Sequence, residues 1–111
     1  MNMYNIFIRF SKVFTKEEMG RITGCTNADV GNYIRVDVHG LTKPAAKRFI
    51  NNIINIIRDA FGLLIVHGFR HGTVIKEMLR SEFWNPKVSD MYEAPSNPGV
   101  TYLVIMPAYL A

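Results

Sequence analysis

The sequence predicts an α/β protein: a two-layer sandwich whose βαβαββ core is a four-stranded mixed sheet covered by two helices, preceded by an N-terminal strand and a short helix. Three observations predict it. Tyr33 to His39 alternates Tyr, Ile, Arg, Val, Asp, Val, His with the two-residue period of a strand. Ala46, Phe49, Ile50, Ile53, Ile54, Ile57 and Phe61 recur with the period of a helix. Leu63 to Val66 is an unbroken apolar run bounded by glycines, as expected of a central strand covered on both sides. Strand, helix and strand in that order make a crossover unit with parallel strands.

Taken from the N-terminus, Met3 to Phe10 is rich in Tyr, Ile and Phe and reads as a strand with Ile6, Ile8 and Phe10 on one face. Thr15-Lys16-Glu17-Glu18 has the spacing of a capping box and opens a short helix to about Ile22. Gly24, Thr26, Asn27, Gly31 and Asn32 read as a loop, so residues 1–32 form an arm and residues 33–111 the main unit. Thr42 is a natural N-cap with Pro44 in the first turn, and Gly62 is expected to end that helix. A second helix over about Thr73 to Trp84 turns Val74, Ile75, Met78, Leu79 and Phe83 inward, and Asn85-Pro86 stops it. Val88 to Glu93 and Val100 to Met106 are the last strands, joined closely enough through residues 94–99 to be antiparallel.

Composition narrows the function. The chain has 111 residues, enough for one core without disulfide or metal support. Its single cysteine, Cys25, excludes an internal disulfide and suits a reducing compartment, so a cytoplasmic location is expected. Asn5, Arg9 and Lys12 break the apolar N-terminus, and asparagines break the run near Ile53, so neither a signal peptide nor a membrane span is expected. The excess of 13 Lys and Arg over 9 Asp and Glu favours a polyanionic partner.

Chemistry concentrates at the three histidines, which fall in Val36-Asp37-Val38-His39-Gly40 and Val66-His67-Gly68-Phe69-Arg70-His71-Gly72. A parallel crossover brings the C-terminal ends of the two strands side by side, where open α/β sheets hold ligands. Asp37 and His39 lie two apart, so both side chains act on one group, and a carboxylate beside an imidazole fixes its tautomer for acid or base work. A plain alternative is that His39 satisfies backbone at the strand end while Asp37 caps a turn. Arg70 offers a planar fork for phosphate oxygens, His71 a further donor, and the loop with Gly68 and Gly72 opens a helix whose first amides can bind an anion. Gly40, Gly68 and Gly72 also serve as ordinary turn formers, and His67, at the end of the buried strand, reads best as a satisfied core or supporting histidine. Lys43, Lys47, Arg48, Lys76, Arg80 and Lys87 follow the two segments and would track a phosphate backbone or simply solvate helix faces. Phe69 and Tyr102 are candidates for stacking on unpaired bases. No helical His pair or Cys cluster points to a metal centre, although Mg²⁺ held loosely by Asp37 and phosphate oxygens is compatible with the pattern.

Read together, these segments resemble the small MutS-related (Smr) domain. That family has a strand ending in Asp-x-His-Gly, then Leu-Thr and a helix, then a strand ending in His-Gly before a glycine-rich loop and a second helix. Here these are Asp37-Val38-His39-Gly40-Leu41-Thr42 and Ile65-Val66-His67-Gly68, and the family's Asn-x-Gly before the last strand matches Asn97-Pro98-Gly99. The likeness runs from about Tyr33 to Met106. The middle glycine of the family's His-Gly-x-Gly-x-Gly is replaced by Arg70, and His71-Gly72-Thr73 looks like a short stand-alone subset of Smr-like proteins. The resemblance implies a nucleic-acid-binding protein with endonuclease activity, RNA ahead of DNA, and the domain is also similar to the ribosome-binding C-terminal domain of a bacterial translation initiation factor. In that reading Asp37 and His39 are the acid/base pair; Gly40, His67, Gly68, Arg70, His71, Gly72, Lys43, Lys47 and Arg80 contact phosphate or nucleic acid. Two alternatives stay open: a non-catalytic module docking on RNA or a ribosome, and an oligomeric interaction protein whose N-terminal arm pairs with a neighbour's sheet edge.

Overall fold

The alternating segment before His39 and the apolar run before His67 pair as parallel neighbours, as their patterns predict. The computed structural model describes residues 1–29, 31–69 and 73–110. Its elements are α1 (Met3–Val13), α2 (Lys16–Met19), β1 (Ile22–Asn27), β2 (Gly31–Asp37), α3 (Lys43–Ile56), β3 (Phe61–Val66), α4 (Val74–Ser81), β4 (Val88–Ala94) and β5 (Asn97–Ile105), with a 3₁₀ turn over Ala108–Leu110. Among the described residues the five strands form one open mixed sheet in the order β1-β2-β3-β5-β4. Only β2 and β3 are parallel, with Ile34 opposite Leu63 and Asp37 opposite Val66. The α/β class, the βαβαββ order and the central place of β3 stand; the strand count rises from four to five.

Alternation sorts the sheet into two unlike faces. Ile34, Val36, Leu63, Ile65, Leu103 and Ile105 point one way and are buried with Phe49, Ile50, Ile53, Ile54, Met78 and Leu79 of the helices. The other face carries Tyr33, Arg35, Leu64, Tyr92 and Tyr102, none of them buried. The expectation that β3 is covered on both sides is therefore corrected: helices cover one side. On the other, the Tyr102 ring lies across Gly62, where a Cβ would come within 1.7 Å of its hydroxyl. Gly62 is thus a close-packing position in β3 rather than a helix terminator, and Phe61 also belongs to the strand. The helix instead ends at Ile56, where buried Lys87 donates through Nζ to the carbonyls of Ile54 at 2.6 Å and Ile57 at 2.5 Å.

The N-terminal expectations need the largest correction. Met3 to Phe10 is helix, not strand. Asn2 caps it by accepting from the Asn5 amide at 3.1 Å, and Ile6, Phe10 and Phe14 fall at four-residue spacing on the buried side while Ile8 is exposed. Phe7, Phe10, Phe14 and Phe49 stack edge-on or tilted at 5.1–5.5 Å, which ties α1 to α3. The strand edge proposed for pairing with a neighbour is accordingly absent from α1. The adjoining loop is a strand: β1 pairs antiparallel with β2 from Ile22↔Val36 to Asn27↔Gly31. Met3 covers Gly24, whose added Cβ would meet its Sδ at 2.8 Å, and the chain reverses through an Asx turn in which the Asp29 amide donates to Asn27 Oδ1. The capping box of α2 forms as read, Glu18 Oε1 accepting from the Thr15 amide and Thr15 Oγ1 from the Glu18 amide. The helix stops at Met19, before Ile22 enters the sheet.

The remaining differences are local. α4 spans Val74–Ser81, shorter than expected, and Val74 is 59% exposed rather than inward. β5 begins at Asn97, paired with Ala94, so the β4–β5 turn is tighter than residues 94–99 suggested.

Candidate active site at the ends of two parallel strands

The β2 end presents the Asp37–His39 pair. Asp37 is the last residue of β2 and His39 follows on the turn closed by Gly40, whose φ of +79° is the left-handed conformation that favours glycine. Asp37 Oδ1 accepts twice from His39, from the backbone amide at 3.1 Å and from ring Nδ1 at 2.5 Å. That contact places the ring proton on Nδ1 and leaves Nε2 without a partner among the described residues. The His39 side chain is 66% exposed. Burial alone would raise the Asp37 pKa, but the hydrogen bonds from the His39 ring and amide, with the charges of His39 and Arg21, hold it below the usual carboxylate value.

Arg21 fixes this strand end from outside it. Its Nη1 donates to the carbonyls of Asp37 at 3.1 Å and His39 at 3.2 Å, its Nε is paired with Glu17 at 2.7 Å, and its carbonyl accepts from the Asp37 amide. Sequence reasoning missed Arg21. The i,i+4 spacing from Glu17 was the only visible sign, and it does not reveal the reach to β2.

The β3 end is built differently. His67 is 6% exposed, with Nδ1 2.8 Å from the Gly68 carbonyl and Nε2 2.8 Å from Thr101 Oγ1 on β5. Donation from Nδ1–H to the carbonyl and acceptance from the Thr101 hydroxyl satisfies a neutral ring, and burial lowers its pKa. Gly68 has a φ of +73°, and its α-carbon side faces His39, an added Cβ lying 3.8 Å from His39 Cβ. The two histidine segments therefore adjoin. Gly99 completes the junction: its carbonyl accepts from the amides of His67 at 2.9 Å and Gly68 at 3.0 Å, and a Cβ there would meet Gly68 Cα at 3.2 Å. Asn97 Oδ1 accepts from the Gly99 amide at 3.0 Å, which accounts for Asn-x-Gly at this position.

Between the strand ends and the starts of α3 and α4 lies a cleft of about 610 Å³ lined by His39, Lys43, Phe69 and Ile75 among others. Thr42 Oγ1 caps α3 by accepting from the Ala45 amide at 3.3 Å. Thr73 makes no equivalent bond at α4 and instead donates to Glu77 Oε1. Lys43 borders the cleft but pairs with Glu82 at 3.0 Å, with Lys47 at 3.9 Å from the same carboxylate. Lys76 and Arg80 pair with Glu93 at 3.0 and 3.4 Å. Of the two candidate stacking residues, Phe69 lines the cleft, whereas Tyr102 lies on the open sheet face, 5.2 Å from Tyr92. Arg70, His71 and Gly72 lie outside the described residues. Among the described residues no group of three or more His, Cys, Asp or Glu could hold a metal ion, and no helix is long and apolar enough to cross a membrane.

No protein-family model matches the sequence, and no curated protein matches it. Among solved structures the chain is similar to the Smr domain of Thermus thermophilus MutS2, at 26% identity and a TM-score of 0.52, over 66% of this chain and 98% of that one.

Proposed function

Because the chain carries an Smr-like domain, we propose that it binds nucleic acid and cleaves RNA, with Asp37 and His39 as the acid/base pair. The observation that carries the reading is the grip of Asp37 Oδ1 on His39 Nδ1 at 2.5 Å, which leaves Nε2 of an exposed, cleft-lining ring without a partner among the described residues. An imidazole with one nitrogen held by a carboxylate and the other open can act as a general base. His39 Nε2 takes the proton of a ribose 2′-hydroxyl; the 2′-oxygen forms a bond to the adjacent phosphorus, and the bond from phosphorus to the 5′-oxygen breaks. The leaving 5′-oxygen receives a proton from the imidazolium, so the products are a 2′,3′-cyclic phosphate and a 5′-hydroxyl.

Asp37 keeps the ring oriented and offsets the charge it gains. Arg70, His71 and the amides of the loop containing Gly68 and Gly72 are assigned to the phosphate, whose developing charge such donors stabilise. Gly40 and His67 act by shaping and holding the strand ends, while Lys43, at the cleft rim, is engaged by Glu82. A Mg²⁺ site has one nearby carboxylate to draw on, with an oxygen already committed to His39, so the route above uses protein groups alone.

Docking through basic helix faces without chemistry draws less support, since Lys43, Lys47, Lys76 and Arg80 are each within 4.0 Å of Glu82 or Glu93. The test is incubation of the full chain with labelled single-stranded RNA and with supercoiled DNA, each with Mg²⁺ and with chelator. RNA cleavage in both lanes, DNA left intact, and loss of cleavage in His39→Ala are expected. Binding without cleavage, equal in the variant, would move the protein to the binding-module class.

A further inference from the structure

We propose that the cleft beside the Asp37–His39 pair receives an unpaired nucleobase, so that the site selects single-stranded over duplex RNA; this rests on the nucleic-acid reading above. The cleft is about 610 Å³, within the range of small-ligand pockets. Its walls are apolar, formed by Leu41, Val66, Phe69, Val74 and Ile75. Phe69 is 49% exposed and Val74 59% exposed, so two large apolar surfaces stand open to solvent in the cleft that His39 also lines.

The polar groups of the lining narrow the occupant. The ionisable groups lining the cleft are His39, His67 and Lys43, with no carboxylate among the described residues. A second cavity, of about 450 Å³, is lined by Glu17 and Glu18 as well as Arg48, and a third, of about 420 Å³ beside Trp84, has no charged lining residue among those described. An apolar pocket edged by the two imidazoles and by Lys43, itself paired with Glu82, and without an acidic lining residue among those described, fits a flat, uncharged ring attached to an anionic backbone. A nucleotide has that form: the base enters between Phe69 and Val74 while its phosphate stays at the level of His39 Nε2 and Lys43. Stacking on an aromatic ring is tolerant of base identity, so the pocket sets structure preference rather than sequence preference. Bases in a duplex are already stacked and paired, and reach the pocket only after extrusion.

The test is fluorescence anisotropy with the full chain and one labelled 12-nucleotide RNA, made uncleavable by 2′-O-methyl groups, alone and annealed to its complement, at equal salt. Single-stranded RNA is expected to bind at least about tenfold tighter. Phe69→Ala should remove most of that difference, whereas Trp84→Ala, an aromatic substitution at the third cavity, should keep it. Should Phe69→Ala fail to fold, Val74→Asp puts a carboxylate in the cleft at a helix position that favours acids, and is expected to weaken single-strand binding by a similar factor. Removing every base from the strand should weaken binding sharply, whereas a single abasic residue should not, because the strand can shift register. Equal affinity for both forms, or a preference that survives both cleft variants, overturns the pocket while leaving the nucleic-acid reading in place. Failure to bind either RNA at low salt overturns both.

Discussion

His39 and His67 end neighbouring parallel strands, and each precedes a glycine of positive φ, yet the two imidazoles are held in opposite ways. His39 is mostly exposed, fixed on one nitrogen by a carboxylate and open on the other. His67 is buried, with both nitrogens taken up by the Gly68 carbonyl and the Thr101 hydroxyl. The same dipeptide thus does different work according to its depth in the sheet. At β2, which has only β1 beyond it, His39 reaches solvent. At β3, in the middle, β5 supplies the partner that closes the ring off.

The comparison can be broken most sharply at the β2 end. His39→Ala is expected to lower RNA cleavage by about 10²–10⁴-fold while shifting stability by no more than about 0.5 kcal/mol, read by single-turnover kinetics beside urea denaturation. Asp37→Asn keeps the side-chain volume but removes the carboxylate that fixes the tautomer. It should cost at least about tenfold in rate in the same single-turnover assay. The β3 end should respond the other way round. His67→Ala removes a buried ring and strands the Thr101 hydroxyl, so a loss of about 1–3 kcal/mol in urea denaturation is expected. Cleavage by the fraction that remains folded should fall far less than in His39→Ala.

The smallest effect sharpens the contrast through pH. Burial lowers the His67 pKa from 6.5, so below that pH the unfolded chain takes up more protons than the folded one. The contribution is fully present above pH 6.5 and is lost as pH falls through the folded value. Asp37, also depressed, begins to matter only below the ordinary carboxylate value of 3.8. Urea midpoints measured between pH 7 and pH 5 should therefore drop in the wild type, and the slope should flatten in His67→Gln. An equal slope in the two proteins would remove His67 from the account of acid sensitivity.

Most of the core from β2 onward was legible because local pattern and tertiary role coincide there: Ile34 and Val36 alternate, Ala46 to Ile54 repeat at helical spacing, and the two strand-end glycines mark real turns. Where they diverge, the sequence misled. Tyr4, Ile6, Ile8 and Phe10 suit a strand by propensity, but packing of Phe10 and Phe14 on Phe49 makes the segment helix. Gly62 looked like a helix stop because its true neighbour, Tyr102, lies far along the chain. Val74 fell on the apolar stripe of α4 yet faces the cleft. Within the site, the Asp37–His39 contact follows from two-residue spacing. The Thr101 partner of His67 and the Arg21 clamp on Asp37 and His39 come from other strands and turns, which no local pattern encodes.

His39, oriented by Asp37, is proposed to take a proton from a ribose 2′-hydroxyl. The most direct measurement is single-turnover cleavage of a short RNA against the same RNA carrying one 2′-deoxy residue at the mapped cleavage site. The account predicts that both bind alike, that only the all-ribose strand is cut, and that the cut end carries a 2′,3′-cyclic phosphate. Cleavage of the 2′-deoxy strand at a comparable rate, or a cut end without the cyclic phosphate at early times, would contradict it.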